Sequence, residues 1–351
     1  MGIDVLWHGQ TLFKQPEAFD HAYLPESFEY RGGQLQALAE CIKPCFQGLR
    51  PGNCKIIGET ATGKTTSIKM VFHEAEQESK DVYFVHVNGS IFSHPFAIFS
   101  RIHKEVLGYE PPSSGVSLKD IYEKTFTHLE KKKKTLIVAL DDAVYIADLN
   151  KVVYDLLRVY ELFSVKTGVW IVGTPKDTFA LDEKSASVFA GQHIVFPKYT
   201  EDELFSILKK RAEYGLYKGV VADDVLRRIA GITFQKDLRF GIGLLKLGVL
   251  EAENKEKKKV GLEEAERALA KFSSSDKGEK MMEKELLYLL EKKNFNSGSL
   301  FAEMNKKHKM AYSSFYRLIE EMKKKKLIEV EEKQGDEGGR TREIRLKEFL
   351  R

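Results

Sequence analysis

The sequence lacks any long apolar run, because no stretch approaches the roughly 18 uncharged apolar residues that a membrane-spanning helix needs. Its first residues have neither the basic segment nor the apolar segment of a secretion signal. The hydrophobic fraction of 42% and the charged fraction of 31% are typical of a soluble globular protein. We therefore expect no membrane partner, a cytoplasmic location and, at 351 residues, more than one domain.

Cysteine is also scarce, and only Cys41, Cys45 and Cys54 occur. A structural zinc site uses four cysteine or histidine ligands, and no fourth cysteine or paired histidine lies near these three in the sequence. Their neighbours along the chain are apolar. The three residues are therefore predicted to be buried structural thiols.

The chain has little excess charge, with a formal net charge of +4. Residues 278–351 hold 18 of the 56 Lys and Arg residues and 14 of the 52 Asp and Glu residues, so the rest of the chain carries 38 of each. All of the net positive charge therefore lies in the last fifth of the chain. That basic segment is where a contact with nucleic acid is expected.

Short runs of β-branched and aromatic residues predict buried parallel strands. These runs cover residues 53–57, 82–87, 135–140 and 168–172. Because each run is followed by a helical pattern or a polar loop, the fold class predicted is α/β with a doubly wound parallel sheet, in a base domain of residues 1–199. From Thr200, apolar residues three and four positions apart in charged segments predict an α-helical lid, residues 200–272.

The small polar segment 273–278 predicts a flexible linker, and a separate C-terminal domain, residues 279–351, is predicted after it. Its helical patterns and strands cover 279–292, 298–308, 312–325, 327–332 and 342–346. The third helical pattern places Phe315, Leu318 and Ile319 with Met322 on one face. Three helices followed by a β-hairpin predict a winged-helix domain.

Residues 58–65 read Gly-Glu-Thr-Ala-Thr-Gly-Lys-Thr, a phosphate-binding loop. Gly58 and Gly63 permit backbone conformations that direct N–H groups inward, and the helix that starts at Lys64 directs its positive end at the anion. Lys64 is predicted to reach the β and γ phosphates and Thr65 to bind Mg²⁺, so the predicted cofactors are ATP or ADP with Mg²⁺. The other ATP-binding residues predicted here are Glu59, Thr60, Ala61, Thr62 and Thr66.

An acidic pair, Asp141 and Asp142, follows the third predicted strand. Asp141 is predicted to hold Mg²⁺, and Asp142 to polarise the water that attacks ATP. The next strand ends near Thr174, whose hydroxyl is predicted to bind the γ phosphate or the water. Capping of a strand and ordinary turn chemistry are the structural alternatives for these residues.

This order of phosphate loop, acidic strand end, lid and winged helix resembles the AAA+ replication initiators of archaea, the origin-recognition and cell-division-cycle family. The resemblance covers nearly the whole chain, and its more specific marks lie in segments 23–34, 194–200 and 236–239. It implies that the segment around Tyr23 and Leu24 sandwiches the adenine. It also implies nucleotide contacts from Tyr199 and Arg211, and a second sensor of the γ phosphate at Arg239. The partners that it implies are double-stranded origin DNA and the minichromosome maintenance helicase, in association with the nucleoid.

The sequence departs from that family at the catalytic positions. Asp142 stands where Glu is usual, and Thr174 stands where Asn is commoner. Residues 181–187, where relatives carry an arginine finger, contain no Arg, and Lys184 supplies only a point charge. Because an arginine finger contributes a factor of roughly 10³ or more to the rate, we expect slow or single-turnover hydrolysis and long-lived ADP.

In a winged helix the third helix enters the major groove, and the hairpin lies along the DNA backbone or minor groove. Ser313, Ser314 and Arg317 are predicted DNA contacts of the third helix, because hydroxyls and guanidinium groups suit base edges and phosphates. The other predicted DNA contacts are Lys306, Lys307, Arg340 and Arg342. Acidic residues in the hairpin, such as Glu331 and Glu332, leave open a winged helix that binds protein.

Three functions therefore remain open on sequence alone. The leading one is an ATP-regulated initiator that binds origin DNA. The alternatives are a transcription regulator with the same DNA-binding body, and a clamp-loader-like or signalling ATPase whose winged helix binds protein.

Overall fold

The computed structural model describes residues 11–20, 22–25, 28–112, 114–177, 181–325, 327–334 and 340–347. At residues 273–280, 324, 332–334, 340 and 341 it describes the backbone alone. The chain divides into two compact units, Met1–Leu262 and Glu263–Arg351.

The first unit is built around a five-stranded sheet with the strand order β2-β3-β4-β1-β5. The strands are β1 (Cys54–Gly58), β2 (Val82–Asn88), β3 (Thr135–Asp141), β4 (Thr167–Gly173) and β5 (Gln192–Phe196). All of the recorded strand pairs in this sheet are parallel. The carboxyl ends of parallel strands meet at one edge, so this edge collects the residues that follow β1, β2, β3 and β4.

The four strands predicted from the sequence are present, each bounded within one residue of its prediction. The edge strand β5 was not predicted. Its Ile194 and Phe196 are buried, whereas Gln192, His193 and Val195 are exposed. A run with such alternation lacks the continuous apolar character that identified the central strands.

Helices cover both faces of this sheet. They are α1 (Gly32–Phe46), α2 (Lys64–Glu78), α3 (Pro95–Leu107), α4 (Leu118–Lys131), α5 (Leu149–Leu157) and α6 (Glu183–Phe189). Residues of α1 and α2 share a core with Ile137 and Trp170, and residues of α3, α4 and α5 share a second core with Leu136 and Val138. Successive residues of β3 therefore enter opposite cores, which explains the unbroken apolar sequence of that strand.

Further helices follow the sheet where the lid was predicted, namely α7 (Glu201–Gly215), α8 (Asp223–Phe234) and α9 (Leu238–Glu253). Thr200 begins α7 with a capping box. Its hydroxyl accepts the Glu203 N–H at 3.3 Å, and the Glu203 carboxylate accepts the Thr200 N–H at 2.8 Å. The chain is therefore held firmly at the point where it enters the lid.

Helix α10 (Leu262–Lys292) runs through the segment that was predicted to be a linker. The structure differs from that prediction because residues 273–278 contain no proline and lie between sequences rich in Ala, Glu and Lys, which have high helix propensity. Within the segment only Gly278 carries a large propensity cost, about 1 kcal/mol relative to Ala. Small polar composition alone therefore did not end the helix.

The second unit continues after α10 with β6 (Phe295–Asn296), α11 (Ser297–His308), α12 (Tyr312–Lys324), β7 (Ile328–Gln334) and β8 (Arg340–Leu346). The strands form an antiparallel sheet in the order β6-β8-β7. The four apolar residues predicted on one face of α12 are all buried. Apart from β6, whose two residues are too few for a pattern, this element order follows the prediction and is that of a winged helix.

All three cysteines are buried, as predicted, and they pack in the core that α1 and α2 share with the sheet. Burial raises the pKa of Cys45 to about 12, so this thiol stays protonated at neutral pH. In the described ranges of the chain, no helix has the length and apolar character needed to cross a membrane.

Candidate nucleotide site and nucleic-acid surface

The phosphate loop connects β1 to α2 at the carboxyl edge of the sheet. Gly63 has φ 93° and Ala61 has φ 58°, both in the left-handed region that favours glycine. A Cβ atom at Gly58 would lie 2.6 Å from the Phe196 carbonyl oxygen, so only glycine fits beside β5. The loop thus turns tightly into α2, whose first N–H groups point toward the cleft side of the loop.

Lys64 is the first residue of α2, and its Nζ donates to the carbonyl oxygens of Gly58 at 2.6 Å and Glu59 at 2.8 Å. Burial lowers the pKa of Lys64, and the nearby carboxylates of Asp141 and Asp142 act against that effect. The ammonium is therefore held over the loop in a partly desolvated position. In such a position a cation interacts more strongly with phosphate than it does in open water.

Asp141 ends β3 and accepts three hydrogen bonds. Thr65 Oγ1 donates to Asp141 Oδ2 at 2.6 Å, and the Asp142 N–H donates to Oδ1 at 3.0 Å. His86 Nε2 lies 2.9 Å from Oδ2 and donates to it, because an ionised carboxylate can only accept. Burial acts to raise the pKa of Asp141, but the bonds from His86 and Thr65 outweigh it and lower the pKa. Asp141 is therefore a fixed, ionised carboxylate beside the Thr65 hydroxyl.

Asp142 differs from Asp141 in the direction in which its pKa is shifted. Burial and the Asp141 carboxylate raise the pKa of Asp142, against the opposing charges of Arg239 and Lys64. Its backbone has φ 51° and ψ 45°, a left-handed conformation that aspartate adopts more readily than most residues. A carboxylate with a raised pKa at this edge has the electrostatics of a group that can accept a proton from water.

Most of the residues predicted to bind ATP line one cleft, with a cavity volume of about 250 Å³. The cleft is lined by Tyr23, Leu24, Thr60, Ala61, Thr62, Gly63, Lys64, Thr65, Thr66, Asp141, Asp142, Thr174, Tyr199, Arg211 and Arg239. Gly58 and Glu59 do not line the cleft, but their carbonyl oxygens accept hydrogen bonds from Lys64 Nζ. The structure thus brings together residues that are up to 216 positions apart in the chain, from Tyr23 to Arg239.

The lid side of the cleft is formed by α7 and α9. Arg211 of α7 donates to the Ala18 carbonyl oxygen at 2.7 Å, and its guanidinium carbon lies 4.6 Å from the centroid of the Tyr23 ring. Burial lowers the pKa of Arg211, as expected for a cation drawn into a cleft. Arg239 lies near the start of α9. The lid therefore supplies two guanidinium groups opposite the phosphate loop.

Sequence reasoning missed some residues of this site. Asn88 lines the cleft at the end of β2, and the strand-end argument that identified Asp141 applies equally to it. Asp177 accepts the Thr174 N–H at 2.5 Å and so fixes the turn that carries Thr174. His86 had no detectable signal, because a lone histidine in a strand carries no motif.

The predicted DNA contacts of the second unit lie on α11, α12 and β8. Ser313 and Arg317 are exposed on α12, and Ser314 is half-buried. Lys306 and Lys307 are exposed on α11 and pair with Glu303 and Glu285, each at 2.8 Å. These two lysines are therefore partly neutralised by carboxylates within the second unit.

The hairpin presents Arg342 beside α12. Arg342 donates to the Tyr316 hydroxyl at 3.1 Å, and its guanidinium carbon lies 5.5 Å from the centroid of that ring. Two of the hairpin's acidic residues, Glu329 and Glu331, pair with Arg345 on the neighbouring strand. The side chain of Arg340, also a predicted contact, lies outside the part that the structure describes, as does that of Glu332.

Comparison with known proteins places this architecture in a family. A model described as "Cdc6 AAA+ ATPase-type lid domain" matches residues 205–270, and one described as "AAA domain" matches residues 49–178. Among solved structures, the Aeropyrum pernix ORC1 protein in complex with DNA has a TM-score of 0.72 at 22% identity, covering 95% of this chain and 93% of that one. The ADP form of the Aeropyrum pernix ORC2 protein has a TM-score of 0.61 at 22% identity, covering 97% and 95%. At such identity the likeness concerns the fold.

Curated relatives are more similar in sequence. The ORC1-type DNA replication protein 2 of Methanothermobacter thermautotrophicus is 39% identical over 93% of this chain and 89% of its own length. The ORC1-type DNA replication protein 2 of Methanosarcina mazei is 36% identical over 99% of this chain and 96% of its own length. Because such identity extends over nearly the whole of both proteins, the chain belongs to the ORC1-type family of AAA+ DNA replication proteins.

Proposed function

We propose that this protein is an ATP-binding replication initiator that binds origin duplex DNA and helps to recruit the minichromosome maintenance helicase. The observation that carries the proposal is one cleft in which the phosphate loop, the acidic pair and Arg239 converge, in a chain that also has a winged helix. The names of the two curated relatives described above, both ORC1-type DNA replication proteins, support a role in replication.

ATP is proposed to place its phosphates at the amino end of α2 and its adenine near Tyr23 and Leu24. The Thr65 hydroxyl and the Asp141 carboxylate are 2.6 Å apart, and oxygen ligands of this kind are those that Mg²⁺ prefers. These two residues would therefore hold Mg²⁺, which supplies positive charge to the phosphates when it is bound. Arg239 would contact the γ phosphate from the lid.

Hydrolysis is proposed to be a slow switch. Asp142 is one methylene shorter than the usual Glu, so its carboxylate reaches less far toward an attacking water. The segment 181–187 offers no guanidinium to a neighbouring subunit. We expect a turnover well below about one per second, the lower end of ordinary enzyme rates.

Replacing Asp142 with Glu should raise the single-turnover rate, and replacing it with Asn should lower it. Equal rates in all three proteins would contradict this role.

DNA contact is proposed for the exposed face of α12 and for the hairpin. Arg317 and Ser313 would face the major groove, while Arg342 would contact the backbone or minor groove. Of the acidic hairpin residues that favour a protein partner, Glu331 pairs with Arg345, and this pairing reduces the negative charge of the hairpin. The Aeropyrum pernix ORC1 protein, which shares this fold, forms a complex with DNA, and this supports DNA rather than protein as the partner.

Immunoprecipitation of DNA crosslinked to the protein tests this function. Enrichment at one or a few sites where replication starts is the expected result. Enrichment at many promoters would instead indicate transcription regulation, and no enrichment would indicate that the winged helix binds protein. Mapping replication starts in a strain that lacks this protein provides the matched control. If the protein is a replication initiator, those starts should disappear in that strain.

A further inference from the structure

Arg31 is a buried cation immediately before α1, with only 2% of its surface exposed. Among the described residues no carboxylate pairs with it. Its guanidinium instead donates to backbone carbonyl oxygens from different parts of the chain. Nε donates to Thr62 at 2.9 Å, Nη1 to Tyr30 at 2.8 Å and Nη2 to Pro197 at 2.8 Å. A buried charge without a carboxylate partner is costly, and these three hydrogen bonds offset part of that cost.

Two of these acceptors belong to functionally distinct segments. Thr62 lies in the phosphate loop, and Pro197 lies in the short connection between β5 and the lid helix α7. The C=O and N–H groups of a trans peptide point in opposite directions. By holding the Thr62 carbonyl oxygen, Arg31 therefore directs the N–H of Gly63 away from itself. That N–H belongs to the loop that lines the nucleotide cleft.

Tyr199 links the same two segments a second time. Its ring centroid lies 3.8 Å from the guanidinium carbon of Arg31. A Cβ atom at Gly63 would lie 2.8 Å from the Tyr199 hydroxyl oxygen, so the tyrosine packs against both the guanidinium and the loop. The hydroxyl is buried. The next residue, Thr200, begins α7.

We propose that Arg31 is a positioning residue that couples the phosphate loop to the lid, so that nucleotide bound at the loop changes the position of α7. This inference rests on the nucleotide binding proposed above. A movement of the Thr62–Gly63 peptide displaces the guanidinium, and the guanidinium displaces Pro197 and Tyr199 at the lid entrance. The planar fork of arginine can serve three separate carbonyl oxygens at once, whereas the ammonium of lysine is a point charge that cannot span them.

Arg31→Lys is the test variant, because it keeps the charge and removes the fork. Gln34→Ala is the matched control. Gln34 lies on α1 and donates to the Val195 carbonyl oxygen at 3.0 Å, so its hydrogen bond also joins α1 to β5 but does not involve Thr62 or Pro197. We expect Arg31→Lys to weaken ADP binding roughly tenfold, which corresponds to the loss of one hydrogen bond that involves a charged group. Gln34→Ala should leave ADP binding unchanged.

Amide hydrogen exchange separates coupling from a merely structural role. Each protein is measured with and without ADP and Mg²⁺, at an ADP concentration that saturates that protein. In the wild type and in Gln34→Ala, nucleotide should slow exchange both in the phosphate loop and at residues 199–206. In Arg31→Lys the loop should remain protected, while protection at 199–206 should disappear. Unchanged protection at 199–206 would overturn the coupling.

A second variant covers the case in which Arg31→Lys does not fold. Tyr199→Leu keeps the guanidinium and removes the ring that packs against both the guanidinium and Gly63, and the same loss of lid protection is expected. Protection that persists in Tyr199→Leu at saturation counts against the proposal. Failure of the wild type to bind ADP at all would instead refute the nucleotide site, which is a different outcome.

Discussion

Because His86 donates a hydrogen bond to Asp141, we expect that replacing His86 weakens the binding of Mg²⁺. His86→Leu removes one of the two bonds that fix Asp141 Oδ2, and leaves the other, from Thr65, in place. The bond that is lost joins a donor to a charged acceptor, an interaction of about 1.5–3 kcal/mol. Loss of a residue that orients a metal ligand typically reduces metal affinity by about 10–100-fold. We expect an effect of that size.

The assay is a titration of Mg²⁺ at a fixed ADP concentration, followed by the fluorescence of a labelled nucleotide. The midpoint for Mg²⁺ should rise about 10–100-fold in His86→Leu, whereas binding of ADP without Mg²⁺ should be nearly unchanged. His73→Leu is the control, because His73 is exposed on α2 and contacts Gln77 rather than the acidic pair. An unchanged midpoint, or an equal loss of ADP affinity with and without Mg²⁺, would refute the reasoning.

Three further predictions concern the cleft and the hairpin. Lys64→Ala removes a partly desolvated ammonium and should weaken ADP binding by roughly 100-fold or more, measured by calorimetry; retained tight binding would refute the site. Single-turnover hydrolysis should fall as the pH drops through the pKa of Asp142, at a higher pH than for an ordinary aspartate because that pKa is raised; a flat profile would exclude Asp142 as the base. Arg342→Ala should lower the salt dependence of DNA binding by about 0.9, the slope for one phosphate contact. Arg345→Ala should change it less, since Arg345 is paired with Glu329 and Glu331.

Much of the fold and of the nucleotide site could be predicted because the signals are local. A buried parallel strand is an unbroken apolar run, and the phosphate loop is contiguous, so β1, β3 and Lys64 follow from short windows of sequence. The helix through residues 273–278 could not be predicted from the composition of that segment. The sequences on either side have high helix propensity, and the helix continues from one to the other. The partnership of Arg31 with Thr62 and Pro197 could not be predicted either, since 31 and 166 residues separate them along the chain. Such contacts exist only after the sheet has formed.

The position of β1 also constrains the order in which the protein can fold. Its neighbours are β4 and β5, so Cys54 pairs with Trp170 on one side and Gln192 on the other. A nascent chain that ends before residue 167 therefore has the entire phosphate loop sequence but neither of the strands that flank it. Pairings so distant in sequence form slowly, because long loops must close first. The ability to bind nucleotide should therefore appear late in synthesis, only after β4 and β5 have left the ribosome.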